Sequence, residues 1–395
     1  FPLLLAQGAK GIAVGLACEI LPHNFNELID ASIAILKGED FCIYPDFPTG
    51  GLMEVSKYND GLRGGRLRVR ARIKQVDNRT ISITEIPFGT TADSLIESIV
   101  RACDKGQLKI KKIDNNTAAD VEINISIPND TSVDQTIDAL YAFTDCEINL
   151  SPNSCVIENE KPRFASVSEI LRVSTQNTLA LLKKELEIAL SELNEKWNWI
   201  SLERIFIKEG VYKRMEKCTT DEQIDDTILK GLQPFVKNLI REITLDDVHR
   251  LRKIPIDRIS KYNSDRADDT LIAIKDDIAA VQHDLDNLID YAIAYFERIK
   301  SKFGKNRERK TEIRSFDTIE EASVAIANEK LYCNYADGFV GYKLKDGEYI
   351  TDCSALDDVI VIRKDGVYFV RKVSEKEYFG QNIMYVGLYH RNDNR

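Results

Sequence analysis

Between Arg66 and Lys74, cationic and apolar residues alternate without exception. Arg66, Arg68, Arg70, Arg72 and Lys74 fall on one parity, and Leu67, Val69, Ala71 and Ile73 on the other. A period of two is that of a strand, so the spacing predicts a single strand with one basic and one apolar face. A solvated strand face ordinarily mixes signs. Like charges in register repel one another, so the economical ligand for this face is a fixed polyanion, a phosphate backbone. The turn at 77–79 then leads into a second alternating strand over 80–86.

Upstream, residues 8–24 gather Gly8, Gly11, Ala13 and Gly15 around one bulky aliphatic side chain, Ile12, with Lys10 beside it. Glycine permits close backbone approach, and an apolar wedge next to a cation is a device by which some proteins kink DNA between base steps. Read by itself, the stretch is more simply a Gly/Ala-rich helix packed in a core.

No catalytic signature accompanies these residues. P-loop, GxSxG and HExxH patterns are absent, and no tyrosine sits in a basic, pocket-like context that would mark a nucleophile. The one DxD pair, Asp284 and Asp286, straddles a core position of a heptad helix and reads as a solvated flank. The 8 cysteines form no CxxC pair and the 4 histidines never fall at ligand spacing, which argues against structural zinc or a disulfide framework and fits a reducing compartment. His23 reads as a capping or packing residue. A net charge of −10 speaks against nonspecific nucleic-acid binding by the whole surface and confines such binding to a local basic patch.

The elements that must position these residues fall into segments. At 395 residues the chain is too long for one ordinary core and predicts two to four domains. No apolar run approaches bilayer length, and the opening residues lack the basic flank of a signal peptide. The first residue, Phe1, sets the expectation that the sequence begins inside a larger protein. Asn24 caps a helix through Leu36 that Gly38 ends, with Glu27 reaching back to the cap. A turn-rich loop covers 45–51. An amphipathic helix runs over 91–103, followed by strands at 108–113 and 121–127 and a helix near 137–143. This alternation predicts a compact α+β domain.

From 166 to 209 neither Gly nor Pro interrupts an apolar period of three and four, which predicts one very long helix. A second run from Leu271 to Ile299 answers it at heptad spacing, so the pair predicts an antiparallel coiled coil with a knob at 210–265. The knob's apolar line, Leu251, Ile254, Ile256 and Ile259, predicts a contact with a second copy of the chain, against the simpler reading of an ordinary small core. Beyond 316, short strands with Gly turns predict the start of a repeated all-β architecture.

Several separated motifs now carry a resemblance. Pro2 to Leu5, Gly8, Gly11 to Gly15, Pro22-His23-Asn24, Pro45 to Thr49, Glu85 to Phe88 and Thr311-Glu312-Ile313 occur in the order found in the A subunit of bacterial type IIA topoisomerases, which the chain closely resembles. The resemblance implies a multi-domain α+β chain. Residues 1–37 would be the C-terminal end of a DNA cleavage (winged-helix) region, 38–165 an α+β tower, 166–315 a coiled coil with a helical dimer gate, and 316–395 the beginning of a β-pinwheel. It implies a breakage-reunion subunit that binds double-stranded DNA, dimerises through the coiled-coil tip and works with an ATP-hydrolysing B subunit that holds magnesium. The fragment itself then binds no metal or cofactor and is cytoplasmic, at the nucleoid. The family's tyrosine nucleophile and the arginine before it lie upstream of the motif that opens this chain, so no catalytic residue is expected within it and the fragment alone should be inactive. Ile12 matches the family's intercalating aliphatic residue, Lys10 stands where the family often has a small polar residue, and the basic face of Arg66, Arg68, Arg70 and Arg72 read above would add further DNA contacts.

Three departures stand out. Leu62-Arg63-Gly64-Gly65-Arg66 replaces the usual threonine-glycine-arginine-glycine run, Pro255 interrupts the gate line, and no glycine-rich basic box is visible. The last favours the topoisomerase IV A subunits over the gyrase A subunits. On the residues alone, a DNA-organising coiled-coil protein without cleavage activity and an enzyme binding a phosphorylated metabolite remain open alternatives.

Overall fold

The computed structural model describes residues 1–129, 131–260, 264–317 and 329–389. Parts of the expected knob (261–263) and of the expected all-β segment (318–328 and 390–395) lie outside the described residues. The backbone divides into two units. One comprises Phe1–Pro2, Leu28–Cys42 and Ile170–Lys305, the other Leu3–Glu27, Ile43–Glu169 and Asn306–Arg395.

The first unit is helical. Its main element, α5 (Val167–Lys208), is 42 residues long, close to the expected span because nothing in the run breaks it. Ser166 and Glu169 form a reciprocal cap at its start, with Ser166 N donating to Glu169 Oε2 at 2.9 Å and Glu169 N to Ser166 Oγ at 3.2 Å. Leu182 and Leu186 are buried along it. The second heptad run is not one helix. It divides into α10 (Ser264–Asp286) and α11 (Leu288–Phe303), because Asn287 leaves helical geometry at φ −116°, ψ 45° and turns its side-chain amide onto the His283 carbonyl at 2.9 Å. The His283 carbonyl thus accepts from both the Asn287 backbone N, at 3.0 Å, and its side chain, a local arrangement that apolar spacing does not register. Near the end of α5, Arg204 pairs with Asp268 of α10 at 2.6 Å.

Between α5 and α10 lie short helices α6 (Val211–Arg214), α7 (Asp221–Leu232), α8 (Leu245–Arg252) and α9 (Ile256–Ser260); α6, α7 and α8, with the end of α5, form a core of Leu202, Phe206, Val211, Ile228, Leu232, Val248 and Leu251. The knob therefore has a small core of its own, which Leu251 of the apolar line joins.

The second unit opens with α1 (Leu3–Gln7) and the hairpin β1 (Ala9–Ala13) and β2 (Leu16–Ile20). Helix α2 (Phe25–Lys37) starts here and continues in the first unit. Asn24 Oδ1 accepts from the Asn26 and Glu27 amides at 2.9 and 3.2 Å, as a cap should, and Gly38 ends the helix at φ 74°. The Glu27 carboxylate does not reach back; it holds the Arg309 guanidinium at 2.5 and 2.7 Å.

Two four-stranded sheets follow. One, in spatial order, is β12 (Glu312–Ile313), β3 (Leu52–Lys57), β4 (Arg66–Arg70) and β9 (Glu147–Leu150). The other is β5 (Arg72–Asp77), β6 (Thr80–Glu85), β8 (Ile123–Ser126) and β7 (Lys112–Asn115). The second is covered by α3 (Ala92–Asp104) and α4 (Val133–Phe143), whose Leu95, Ile99, Ala102, Ala139 and Leu140 meet Ile81, Ile83, Ile123 and Ile125. The Thr91–Ser94 capping box and Gly106 at φ 70° bracket α3 as the sequence implies.

Three of the motifs that carry the resemblance, those at 45–49, 85–88 and 311–313, meet here. Thr311 Oγ1 accepts from Phe47 N at 2.7 Å, Phe47 stacks on Phe88 at 4.6 Å, and Gly51 N donates to Glu85 Oε2 at 2.5 Å. A Cβ at Gly50 would fall 2.7 Å from that same carboxylate oxygen. Another hairpin, β10 (Cys155–Glu158) and β11 (Lys161–Phe164), precedes α5.

At the C-terminal end, β15 (Glu348–Cys353), β13 (Glu329–Asn334), β14 (Phe339–Gly341) and β18 (Glu377–Tyr378) form one sheet. A second consists of β17 (Tyr368–Lys372), β16 (Asp358–Arg363) and β19 (Ile383–Tyr389). Both contribute to one core that includes Leu331, Val340, Val359, Val361 and Val386. Gly338 and Gly366 take the expected turns at φ 77° and 84°.

Candidate nucleic-acid interface

Residues 8–24 are not a core helix. Gly8 takes φ 71°, and a Cβ there would lie 2.6 Å from the Ile20 carbonyl and 2.9 Å from Pro22 N, so the chain can pass its own return strand only at a glycine. From there β1 and β2 pair antiparallel with Lys10 opposite Glu19 and Ile12 opposite Ala17. Val14 and Gly15 make the turn, with Gly15 at φ 83°. Gly11 has open space where a Cβ would stand, which removes the close-packing argument that favoured a helix.

The consequence is exposure. Ile12 is 88% accessible and Val14 fully so, on a ribbon too thin to bury either. Lys10 pairs with Glu19 at 3.0 Å while remaining largely in solvent. Val14 is a residue that sequence reasoning missed; the alternation of Ile12, Ala13 and Val14 with a glycine after it was the available signal of a hairpin tip.

The base of the hairpin is firmly held. Glu19 and Asn153 exchange both backbone hydrogen bonds at 3.0 Å. Below them His23 is buried, with Nδ1 3.3 Å from the Leu5 carbonyl and Nε2 3.2 Å from the Tyr58 hydroxyl. Burial lowers its pKa to about 4, so the ring is neutral at pH 7. A carbonyl can only accept, so Nδ1 carries the proton and Nε2 accepts from Tyr58. The packing role expected of His23 fits this geometry.

The alternating basic run is not one strand. It breaks at Ala71, and β4 and β5 lie in different sheets. Leu67, Val69 and Ala71 are buried as expected, but the cations meet carboxylates of their own chain. Arg68 bonds to Glu147 at 2.8 Å and Glu54 at 3.1 Å, Arg70 to Glu147 at 2.5 Å, and Arg72 to Glu85 and Glu312 at 2.9 Å each. Arg70 also lies over the rings of Phe316 and Tyr141, at 4.3 and 4.6 Å. Donation to the Glu147 carboxylate raises the Arg68 pKa. Burial works against the charge on Arg72, yet Glu312 and Glu85 together carry its pKa upward.

The repulsion that seemed to demand an external polyanion is thus met internally. The basic face was legible, but Glu147 stands 77 positions from Arg70, and no local pattern connects them. Arg63 and Arg66 are exposed and make no ion pair among the described residues.

The expected gate line also divides. Leu251 is buried in the knob's core and Ile254 packs against it, Ile259 is half-buried, and Ile256 is 81% exposed at the start of α9. Pro255 separates α8 from α9, so residues that look continuous in sequence point to different surroundings. Among the described residues, no helix is long and apolar enough to cross a membrane.

Comparison with known proteins supplies the decisive observation. The family model for the A subunits of DNA gyrase and topoisomerase IV matches residues 1–297. The chain belongs to this family. A topoisomerase C-terminal domain model from Bacteroidota matches residues 330–394, a range whose described part, 330–389, carries the two C-terminal sheets. The chain is 34% identical over its whole length to the DNA topoisomerase 4 A subunit of Borreliella burgdorferi, and spans 62% of that protein. Gyrase A subunits match less extensively. That of Metamycoplasma arthritidis is 28% identical across 80% of the chain and 36% of the relative, and that of Chlamydia muridarum 26% across 67% and 34%. The leaning toward topoisomerase IV A subunits agrees with these figures.

Proposed function

We propose that this chain is the part of a topoisomerase IV A subunit that grips and bends the DNA segment to be cut and forms the exit gate. The observation that carries the proposal is the β1–β2 hairpin, which holds Ile12 in solvent within a chain of the gyrase/topoisomerase IV A family. An exposed isoleucine on a stiff ribbon costs little folding free energy to maintain and gains by entering a base step. Unstacking costs a few kcal/mol, which the contacts made by a bent duplex offset. Lys10, though paired with Glu19, sits on the same face as Ile12 and would meet a phosphate. Arg66 and Arg63 supply further free cations. Arg68, Arg70 and Arg72 are assigned to positioning: Arg68 and Arg70 tie β4 to its sheet neighbours β3 and β9, and Arg72 joins Glu85 of its own sheet to Glu312 of the other.

In this reading α5, α10 and α11 make a coiled coil whose tip dimerises through Ile256 and Ile259. The C-terminal sheets begin a β-pinwheel, and the B subunit brings ATP hydrolysis and the magnesium used in cleavage. The test is reconstitution of the full-length protein with its B subunit. Ile12→Ala should lower double-strand cleavage and ATP-dependent decatenation at least about tenfold, with no loss of thermal stability. A variant that cleaves like the wild type removes Ile12 from the reaction. A DNA-organising protein without cleavage activity would bend DNA yet show no decatenation with any B subunit.

A further inference from the structure

Three arginines of the knob meet one stripe of α5. Glu195, Trp199 and Glu203 follow one another at steps of four, a spacing that sets them on one helix face, a turn apart. Arg241 bonds to Glu195 at 2.7 Å and to Asp247 at 2.6 Å, Arg250 lies 4.0 Å over the Trp199 ring, and Arg258 pairs with Glu203. The order is the same on both sides, so the segment 241–258 tracks α5 in the direction of its own chain.

The first two contacts hold parts that the knob's core holds as well. Asp247 is buried and caps α8 with Thr244, and Val248 and Leu251 of α8 are core residues. The third contact differs. Helix α9 follows Pro255 and, among the described residues, gives no side chain to that core. Arg258 is 60% exposed, yet it reaches a carboxylate that is only 5% exposed. Its Nη2 donates to Glu203 Oε2 at 2.8 Å, and its Nε lies 2.5 Å from Oε1. A buried carboxylate left without its cation is strongly destabilising, so Glu203 draws the arginine, and α9 with it, onto α5. The planar guanidinium meets both carboxylate oxygens, which fixes direction as well as distance.

We propose that Glu203 and Arg258 form a latch that orients α9 and so sets the position in which Ile256 and Ile259 meet a second copy of the chain. The inference rests on the tip contact proposed above. A helix of five residues is too short to hold its own shape or direction, so an outside tie must supply both. An apolar pair at this place would stabilise the fold as well as an ion pair does; what the ion pair adds is orientation. Glu203 is enclosed by its own chain and acts on the second copy only through α9, as a positioning residue.

The experiment compares self-association of the full-length protein by sedimentation with its melting temperature. Glu203→Leu removes the buried charge and frees Arg258 into solvent, so it should melt like the wild type and associate at least about tenfold more weakly. Arg258→Ala should weaken association equally and also melt lower, because Glu203 is left buried and unpaired. Combining the two should restore melting but not association. Arg258→Lys, which keeps the charge and loses the fork, should melt like the wild type and associate with intermediate strength. Wild-type association by Glu203→Leu would overturn the latch. So would a double variant that regains association together with melting, since Arg258 would then only neutralise a buried charge. If Glu203→Leu itself melts lower, Arg258→Lys decides, and full association by that variant overturns the latch. Ile256→Ser is the control: wild-type association by it overturns the tip contact and the latch with it, whereas weak association by it beside normal association by Glu203→Leu overturns the latch alone.

Discussion

The β1–β2 hairpin and strand β4 belong to the same unit and differ in what satisfies them. The hairpin leaves its apolar side chain in solvent, with Ile12 88% exposed. Strand β4 and the start of β5 turn charged side chains onto partners: Arg68, Arg70 and Arg72 share Glu54, Glu85, Glu147 and Glu312. Exposed apolar surface without a partner has unspent binding capacity, whereas charges already paired have little left for a ligand. Sign of charge is thus a weaker guide to a DNA contact than whether the group is already satisfied.

The comparison can be broken at its charged side first. Glu147→Ala would leave Arg68 and Arg70 without their shared carboxylate, and Arg70 is nearly buried. Removing one partner of a buried ion pair costs about 3–5 kcal/mol, so the denaturation midpoint of this variant should fall steeply. An unchanged midpoint would show that the arginines are free for an outside anion. The gate line offers a parallel contrast. Leu251→Ala should cost about 3 kcal/mol of stability by opening a cavity, while Ile256→Ala leaves unfolding unchanged and weakens self-association in sedimentation. Equal stability losses would place Ile256 in the core as well.

His23 gives a pH dependence that reports on the hairpin base. Its folded pKa, about 4, lies below the ordinary 6.5, so between these values the unfolded chain binds more protons than the folded one. Stability is therefore complete above about pH 6.5 and falls as pH drops toward 4, by roughly 3 kcal/mol for this group. His23→Gln should flatten that part of the stability curve. A wild-type curve level from pH 7 to 4.5 contradicts the buried neutral ring. The smallest effect concerns Arg66: its replacement by Ala should reduce the salt dependence of duplex binding by about one counterion, while Lys74→Ala tests the neighbouring exposed cation in β5 in the same way.

Helices were the most legible part of the chain. Asn24 with Gly38, Thr91 with Gly106 and the unbroken apolar period of α5 are local signals, and each element formed where those signals stood. The misreadings arose from partners distant in sequence or from single polar residues. Glu147 and Glu312 converted a supposed ligand face into an internal network, and Asn287 divided a helix whose heptads continue across it. The turn at Asn159 and Glu160 escaped notice because it lacks the glycine that usually announces a two-residue hairpin. For the candidate site, Ile12 was identified by its company of glycines and by family resemblance. That it stands on an exposed ribbon tip followed only from the pairing of β1 with β2.

The most direct measurement is the bend itself. A duplex labelled at both ends reports end-to-end distance by energy transfer when the full-length protein is bound at saturation. Wild type should shorten that distance and Ile12→Ala should restore most of it, with the thermal midpoint unchanged. Full bending by Ile12→Ala, or a fall in its thermal stability comparable to that of Leu251→Ala, would contradict the account of the hairpin as a DNA wedge.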